Sequence, residues 1–171
     1  MKLAISEILI KVSQLPDVQS KIDHLRKNDN FALREILKYC YDPRIQWALP
    51  PGKPPYKECE FFDQEGMLPN SMKKMYLFMQ GGNPGLKQVK REKLFLDLLE
   101  SISKTDAELL LAVKDRIMPY PGIDVHLVND AFPGLLPPES IPVSVIEKVV
   151  ETVTEPVVKP KKPVKKKKTK E

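Results

Sequence analysis

The chain has 171 residues, of which 42% are hydrophobic, 17 are Pro and 2 are Cys. This composition is typical of one soluble domain with a tail. Two cysteines cannot build a disulfide framework, and no apolar run approaches the roughly 20 residues that a membrane helix needs. We therefore expect a protein of the reducing cytoplasm without membrane association. The two isolated histidines, His24 and His126, predict no metal site, and we expect no cofactor.

Charge is distributed unevenly along the chain. The 28 Lys and Arg outnumber the 23 Asp and Glu, which gives a net charge of +5. Residues 159–171 contain eight Lys and one Glu, so this tail carries +7 and the other 158 residues carry −2. The basic character of the protein therefore belongs to the tail, and a function for the rest must be argued from other features.

The spacing of apolar residues predicts helices in the first third of the chain. One face of a first helix collects four apolar side chains, Ile5, Ile8, Leu9 and Val12. Two further helices are expected over 18–27 and 31–41, and the polar residues 28–30 offer a cap for the second of them. Four prolines and a glycine within 50–55 then predict a stiff surface loop.

The middle of the chain continues the helical pattern. A helix is predicted over 71–80, where one side carries three methionines that would fill a core, Met72, Met75 and Met79. The glycines at 81–82 stop this helix, and a new helix is predicted over 84–103 because Pro84 suits a first helical turn.

Two more helices complete the predicted domain. Residues 105–108 have the composition of a capping box, which predicts the start of a helix in which Ile117 points inward. A last short helix is expected over 124–131. The predicted fold is therefore all-α, a compact multi-helix domain with a disordered basic tail at the carboxyl end.

The chain divides into three predicted parts. Residues 1–138 form the helical domain, and residues 139–158 form a linker or a marginal helix around 144–152. Residues 159–171 contain almost no hydrophobic material, so we expect them to be disordered until they meet a polyanion.

Four short patterns, in this order along the chain, resemble one family. They are 25–30 with Leu33 and 41–47; Gly82-Asn83; Asp106, Glu108, Leu110, Val113 and Arg116; and Gly122, Asn129, Phe132 and 133–137. The family that they resemble is the amino-terminal DNA-binding domain of ATP-dependent DNA ligases, closest to the bacteriophage type. The resemblance covers roughly residues 15–138 and implies a shared all-helical fold.

The chain departs from that family in its catalytic machinery. A ligase continues into a nucleotidyltransferase domain whose nucleophilic lysine lies in a Lys-x-Asp-Gly motif, and this tetrapeptide does not occur in the sequence. No Ser/His/Asp or Cys/His grouping and no phosphate-loop motif occurs either. We therefore predict that the protein is not an enzyme and has no small-molecule substrate.

The resemblance implies a module that lies over the minor groove of duplex DNA and contacts mostly phosphates and sugars. Two turns are expected to present free backbone N–H groups to phosphates, Gly82-Asn83-Pro84 and the turn at Gly122. The basic side chains expected on the same surface are Arg44, Lys73, Lys74, Lys87, Lys90 and Arg91. The tail is expected to add Lys159, Lys161, Lys162, Lys165, Lys166, Lys167 and Lys168.

Several of these basic and aromatic residues also have structural interpretations. The cations of the 84–103 helix could be its solvated face, because acidic residues lie among them. Arg116 is expected to form a structural ion pair with Asp115. Tyr41 and Trp47 are expected to be aromatics of the core or its rim rather than to stack on bases.

Two functions follow from these predictions. The first is a non-enzymatic accessory protein that binds double-stranded DNA, with a protein of DNA replication or repair as a further partner. The alternative is a protein–protein interaction module, derived from a ligase DNA-binding domain, whose globular part no longer binds DNA. The charge of −2 outside the tail and the proline loop 50–55 favour the alternative. The resemblance also implies a bacteriophage origin and a place in the cytoplasm of the infected bacterium.

Overall fold

Regular structure is helical throughout the described residues, 3–59 and 68–140, of a computed structural model. No β-strand occurs in these ranges, and the prediction of an all-α fold is confirmed. The described residues belong to one compact unit, Met1–Ile141. The α-helices are α1 (Ile5–Gln14), α2 (Val18–Lys27), α3 (Phe31–Tyr41), α4 (Leu68–Ser71), α5 (Gln88–Ser101), α6 (Lys104–Lys114) and α7 (Val125–Ala131). Two 3₁₀ helices cover Met72–Phe78 and Pro138–Ser140.

Helix α6 lies at the centre of the core, because it packs against α1, α3 and α5. Its side chains Leu109, Leu110 and Val113 are fully buried. The predicted apolar face of α1 is also buried, with each of its four side chains at most 2% exposed. Helix α2 packs on α1 and on α7 and closes the domain on that side. Burial of each large apolar side chain contributes about 1.5–3 kcal/mol, so this core is the main source of stability.

A buried carboxylate ties α6 to the first turn of α1. Asp106 is 2% exposed, and its Oδ1 accepts a hydrogen bond of 3.0 Å from the backbone N–H of Ser6. This N–H lies in a first helical turn and has no acceptor within its own helix. The hydroxyl of Ser6 donates to Oγ1 of Thr105 at 3.1 Å. The contact therefore satisfies polar groups at a point from which water is excluded.

The segment between α3 and α4 has no helix in its described part, residues 42–59. The guanidinium of Arg116, just after α6, donates to three carbonyl oxygens of this segment, those of Asp42, Pro43 and Ile45. The backbone of Arg116 has a φ of 59°, a conformation that residues other than glycine rarely adopt. The predicted ion pair of Arg116 with Asp115 is wrong, because the guanidinium is used to satisfy backbone carbonyls instead.

The rest of that segment is held by the 3₁₀ helix and by α5 and α6. Trp47 forms an isolated antiparallel bridge with Met79. Side chains then hold the following residues: Gln88 Nε2 donates to the carbonyl of Ala48 at 3.0 Å, and Lys114 Nζ donates to that of Pro50 at 2.9 Å. The proline loop is thus anchored at its start.

The predicted helix over 71–80 is replaced by α4 and a 3₁₀ helix. A 3₁₀ helix has three residues per turn, so side chains three apart point in the same direction. The residues that face the core are accordingly Met72, Met75 and Phe78, each at most 2% exposed. Met79, which the 3.6-residue period placed on this face, is only partly buried.

The helix predicted from Pro84 begins later, at Gln88. Residues 83–86 form a turn instead, because Asn83 uses both of its oxygens to close it. Its carbonyl oxygen accepts from the N–H of Leu86 at 3.3 Å, and its Oδ1 accepts from the N–H of Gly85 at 3.2 Å. An Asn side chain that bonds to its own backbone two residues on favours a turn over a helix.

The ends of α6 also differ from prediction. Its N-cap is Ser103, whose hydroxyl accepts from the N–H of Asp106 at 3.3 Å, rather than the predicted Thr105. The helix stops at Lys114, so helical spacing no longer applies beyond it. Ile117, predicted to point inward, is 60% exposed for this reason. The predicted cap Asn30 of α3 accepts from the N–H of Leu33, and the helix predicted from Asp124 begins at Val125, with Asp124 as its N-cap, which accepts from the N–H of Leu127.

No helix in the described ranges is long and apolar enough to cross a membrane. The predicted linker 139–158 lies outside the described residues from position 141 onward. The whole predicted tail 159–171 also lies outside them. Within the described ranges no group of three or more His, Cys, Asp or Glu could hold a metal ion.

We expect Asp106→Ala to lower the free energy of unfolding by about 1–3 kcal/mol, because it leaves the buried N–H of Ser6 without an acceptor. The measurement is urea unfolding followed by circular dichroism. Glu108→Ala is the matched control, since Glu108 is an exposed acid on the same helix. Equal unfolding midpoints for the two variants would contradict the role given to Asp106.

Candidate nucleic-acid interface

Basic residues are concentrated in two elements that pack against each other, the 3₁₀ helix Met72–Phe78 and α5 with its N-cap. Residues 72–93 contain six basic residues and one acidic residue, in a chain whose charge outside the tail is −2. Four of the predicted contact residues lie here and are exposed, Lys73, Lys74, Lys87 and Lys90. We call these four residues the basic surface.

The side-chain ammonium groups of the basic surface have no ion-pair or hydrogen-bond partner among the residues that the structure describes. Six cations elsewhere in the described ranges are paired with carboxylates, in the pairs Arg34–Asp29, Lys38–Glu35, Arg44–Asp42, Lys53–Glu58, Lys104–Glu58 and Lys114–Asp115, whereas the exposed lysines Lys11, Lys27 and Lys57 form no such pair within these ranges. The fold thus leaves the charges of this surface available to an external anion.

The first turn of α5 adds backbone donors to the basic surface. Lys87 is the N-cap, and no side chain caps the helix. The first intrahelical bond is donated by Arg91 to the carbonyl of Lys87 at 3.0 Å, so the preceding N–H groups have no acceptor in the helix. The first turn contains no acidic residue. Each cation at this positive end of a helix lowers the stability of the fold by about 0.3–1 kcal/mol. A bound anion would make the same position favourable for the cation.

At the turn Gly82-Asn83-Pro84, the contact of backbone N–H groups with phosphate stays a prediction. Gly82 donates to the carbonyl of Met79 at 3.3 Å, and the N–H of Gly85, just after the turn, donates to the Asn83 side chain. A Cβ on Gly82 would lie 1.9 Å from the carbonyl oxygen of Tyr76. Glycine is therefore required here by close backbone packing, and further donors lie in the first turn of α5.

Arg91 holds this turn against the 3₁₀ helix. Its Nε donates to the carbonyl of Leu77 at 2.8 Å, and one terminal nitrogen donates to the carbonyl of Asn83 at 3.1 Å. The other terminal nitrogen donates to Gln88 Oε1 at 3.0 Å. These bonds within the chain account for the three nitrogens of the guanidinium. Arg91 thus fixes the geometry of the basic surface, and its direct contact with DNA stays a prediction.

The remaining predicted sites lie apart from the basic surface. Gly122 has a φ of 73°, and its carbonyl accepts from Lys21 Nζ at 3.2 Å, so α2 rather than α5 is its neighbour. No direct hydrogen bond among the described residues joins this turn to that at Gly82. Arg44 forms a two-point hydrogen bond with the buried carboxylate of Asp42. The tail lysines that are predicted to contact DNA lie outside the described residues.

The two aromatics take the structural positions that were expected for them. Trp47 packs against the core with its ring edge-to-face to Tyr39, at 5.8 Å between centroids. Tyr41 donates its hydroxyl to the carbonyl of Ile123 at 2.5 Å, and burial raises the pKa of this phenol. Both rings are therefore used within the fold.

Residues of the ligase-like patterns contact one another inside the domain. Arg26 of the first pattern donates to the carbonyls of Asp130 and Ala131 at 2.6 and 3.0 Å, which joins α2 to the end of α7. Arg116 of the third pattern bonds to the turn at 42–45 of the first. These residues serve packing and the satisfaction of backbone carbonyls.

Sequence reasoning missed two features of this region. One is the uncapped start of α5, and the signal for it was the lack of Ser, Thr, Asp or Asn at 84–87. The other is Tyr76, which is 52% exposed beside the lysines of the 3₁₀ helix. Its exposure follows from the three-residue period of that helix, which sequence spacing did not reveal.

Residues 8–119 match a family described as Family of unknown function (DUF6433), and the chain belongs to this family. The matched residues run from α1 through α6 and include the whole of the basic surface. No curated protein matches the chain.

We expect Gly82→Ala to destabilise the protein by about 1–3 kcal/mol, because its methyl group would collide with backbone rather than with a movable side chain. Gly85→Ala is the matched control in the same turn, since its Cβ would meet only Asn83 Oδ1 at an ordinary 3.6 Å. Thermal unfolding of both variants measures the difference. A melting temperature of Gly82→Ala equal to that of Gly85→Ala would show that the turn is not tightly packed.

The pairing of Arg44 with Asp42 predicts a pH dependence of stability. The hydrogen bond from Arg44 lowers the pKa of the Asp42 carboxyl. A carboxyl whose pKa is lower in the folded state contributes stability at pH values above its unfolded pKa of about 3.9. This contribution is lost as the pH falls through the folded pKa. We therefore expect the loss of stability in Asp42→Asn to be largest near neutral pH and to shrink below about pH 4.

Urea unfolding of wild type and Asp42→Asn at several pH values measures this difference. Asp97→Asn, at an exposed acid, is the control and should show little pH-dependent change. A difference between wild type and Asp42→Asn that grew at low pH would contradict the direction of the shift.

Proposed function

We propose that this protein is a non-enzymatic accessory protein that binds double-stranded DNA through phosphates and sugars, without sequence specificity. The observation that supports the proposal most is the basic surface, with its four exposed lysines that lack partners among the described residues. Lysines of this kind neutralise DNA phosphates and release their counterions, which supplies most of non-specific affinity. What distinguishes these four is their concentration in two neighbouring elements, within a stretch, 72–93, that has six basic residues and one acidic residue.

The start of α5 supports the same function. Its N-cap lysine, its uncapped N–H groups and its dipole all favour a phosphate oxygen at one place. A contact of this kind reads no base, which agrees with binding that is independent of sequence. The unfavourable placement of Lys87 and Lys90 at the positive end of a helix becomes favourable once a phosphate is bound.

The tail and the resemblance to ligase DNA-binding domains extend the proposal. Eight lysines in residues 159–171 would hold the protein near DNA and add phosphate contacts. The resemblance supports a role in DNA replication or repair, in the cytoplasm of a bacterium infected by a phage.

A second candidate function is supported by a cleft on the other side of α5. The cleft has a volume of about 390 Å³ and is lined mainly by apolar groups of the proline loop, Phe95 and Leu96. A concave apolar surface of this kind is typical of sites that bind a ligand or a partner's side chain. It favours the alternative of a protein interaction module, which would leave DNA affinity to the tail.

We expect the triple variant Lys73→Glu, Lys87→Glu and Lys90→Glu to bind duplex DNA at least tenfold more weakly than wild type. Each phosphate contact contributes roughly −0.9 to the slope of log K against log salt, so the slope should become shallower by about 2–3. Fluorescence anisotropy with a labelled 20-base-pair duplex at several salt concentrations measures both quantities.

The control is Lys11→Glu, Lys27→Glu and Lys57→Glu, which makes the same change of charge at exposed lysines elsewhere. We expect its salt slope to stay close to that of wild type. Equal loss of affinity in the two triple variants would show that net charge, rather than the basic surface, determines binding. Unchanged binding in the first variant would favour the interaction module.

We expect removal of the residues after Val158 to weaken DNA binding and to make the salt slope shallower, because eight lysines are lost. The comparison uses the same duplex and salt series as above. A full-length variant with the eight tail lysines changed to Gln separates charge from chain length. Identical salt slopes for full-length and truncated protein would exclude the tail from the DNA interface.

A further inference from the structure

Tyr76 is an exposed aromatic residue on the 3₁₀ helix that carries two of the four lysines. It is 52% exposed, whereas its helix neighbours Met75 and Phe78 are at most 2% exposed. Its hydroxyl makes no hydrogen bond to any described residue. An isolated exposed aromatic is common on protein surfaces, so the argument depends on what surrounds this one.

Tyr76 lies on the same ridge as Lys73. Side chains three residues apart in a 3₁₀ helix eclipse each other, so the ring and the ammonium group of Lys73 project from one side. Lys74 follows on the adjacent ridge and is exposed as well. An aromatic ring bordered by unpaired cations complements a ligand that has apolar surface next to anionic groups.

The backbone that carries Tyr76 is held firmly in place. Its carbonyl accepts from the N–H of Met79 at 3.3 Å and lies directly against Gly82. Arg91 bonds to the next carbonyl along, that of Leu77. A rigid backbone and only two side-chain torsions mean that little conformational entropy is lost when the ring makes a contact.

We propose that Tyr76 packs its ring on deoxyribose in the groove edge of duplex DNA while Lys73 contacts an adjacent phosphate. This inference rests on the proposed function and adds an apolar contact to a surface otherwise described by charge. Deoxyribose alternates with phosphate along each strand, so a side-by-side ring and ammonium group match its pattern.

The contact is made with sugar rather than with bases. Bases in a duplex are stacked, and insertion between them costs a few kcal/mol per step. A single tyrosine whose ring is already half covered by its own fold has little free surface to repay that cost. The sugar edge is accessible without deformation of the DNA.

The test compares Tyr76→Ser, which removes the ring, with Tyr76→Phe, which removes only the hydroxyl. An apolar contact releases no phosphate counterions, so it changes affinity without changing the salt slope. We expect Tyr76→Ser in the full-length chain to bind a 20-base-pair duplex about five- to tenfold more weakly at every salt concentration. Tyr76→Phe should bind like wild type.

Phe31→Ser is the matched control, because Phe31 is 63% exposed on α3 and lies outside the basic surface. Its DNA affinity should equal that of wild type. Melting temperatures of all three variants check folding, and Tyr76→Phe keeps the test valid if Tyr76→Ser is unstable. In that case the phenylalanine variant must bind like wild type, and weaker binding would overturn the apolar contact.

Three results would overturn the inference. They are an affinity of Tyr76→Ser equal to that of wild type, a shallower salt slope in that variant, and a larger loss on single-stranded DNA than on duplex. The last result would assign the ring to base stacking. Failure of wild type itself to bind duplex would refute the proposed function. Failure of the inference alone is a different result, because wild type would still bind duplex.

Discussion

The domain depends on how the backbone polar groups of the helix-free segment 42–59 are satisfied. This segment has no helix in which to pair its own carbonyl oxygens, so donors from other parts of the chain pair with them. Arg116 serves three of its carbonyls, and Gln88 and Lys114 each serve another. Gln88 is the first residue of α5, so its bond to Ala48 joins the segment to the start of that helix.

The cations described above differ in what their charges contribute to the fold. Those that bond to carboxylates or backbone carbonyls stabilise the fold, as Arg91 does at the turn before α5. The four lysines of the basic surface contribute nothing of this kind within the described residues, and two of them oppose the dipole of α5. Charges that contribute little to the free energy of folding are available to an anionic partner. Tyr76 adds an apolar side chain to the same surface.

Local patterns predicted much of the fold, and long-range contacts determined the rest. The apolar face of α1 and the cap Asn30 were predicted, because each depends on residues within one or two turns. The 3₁₀ helix was not, since Met72 and Met75 fit both a three-residue and a 3.6-residue period. The start of α5 was placed too early because the side-chain bond of Asn83 competes with a helix, and a proline rule cannot weigh that competition.

For the candidate site, the sequence by itself determined the class of fold, the separation of a +7 tail from a body of −2, and the lysines available for a basic surface. Only the tertiary structure decided which cations are free and which are used internally. Arg116 meets a carbonyl 74 positions away at Asp42, and Arg26 meets one 105 positions away at Ala131. Hydrogen bonds act over about 3 Å, so the role of each cation depends on partners that come near only when the chain has folded.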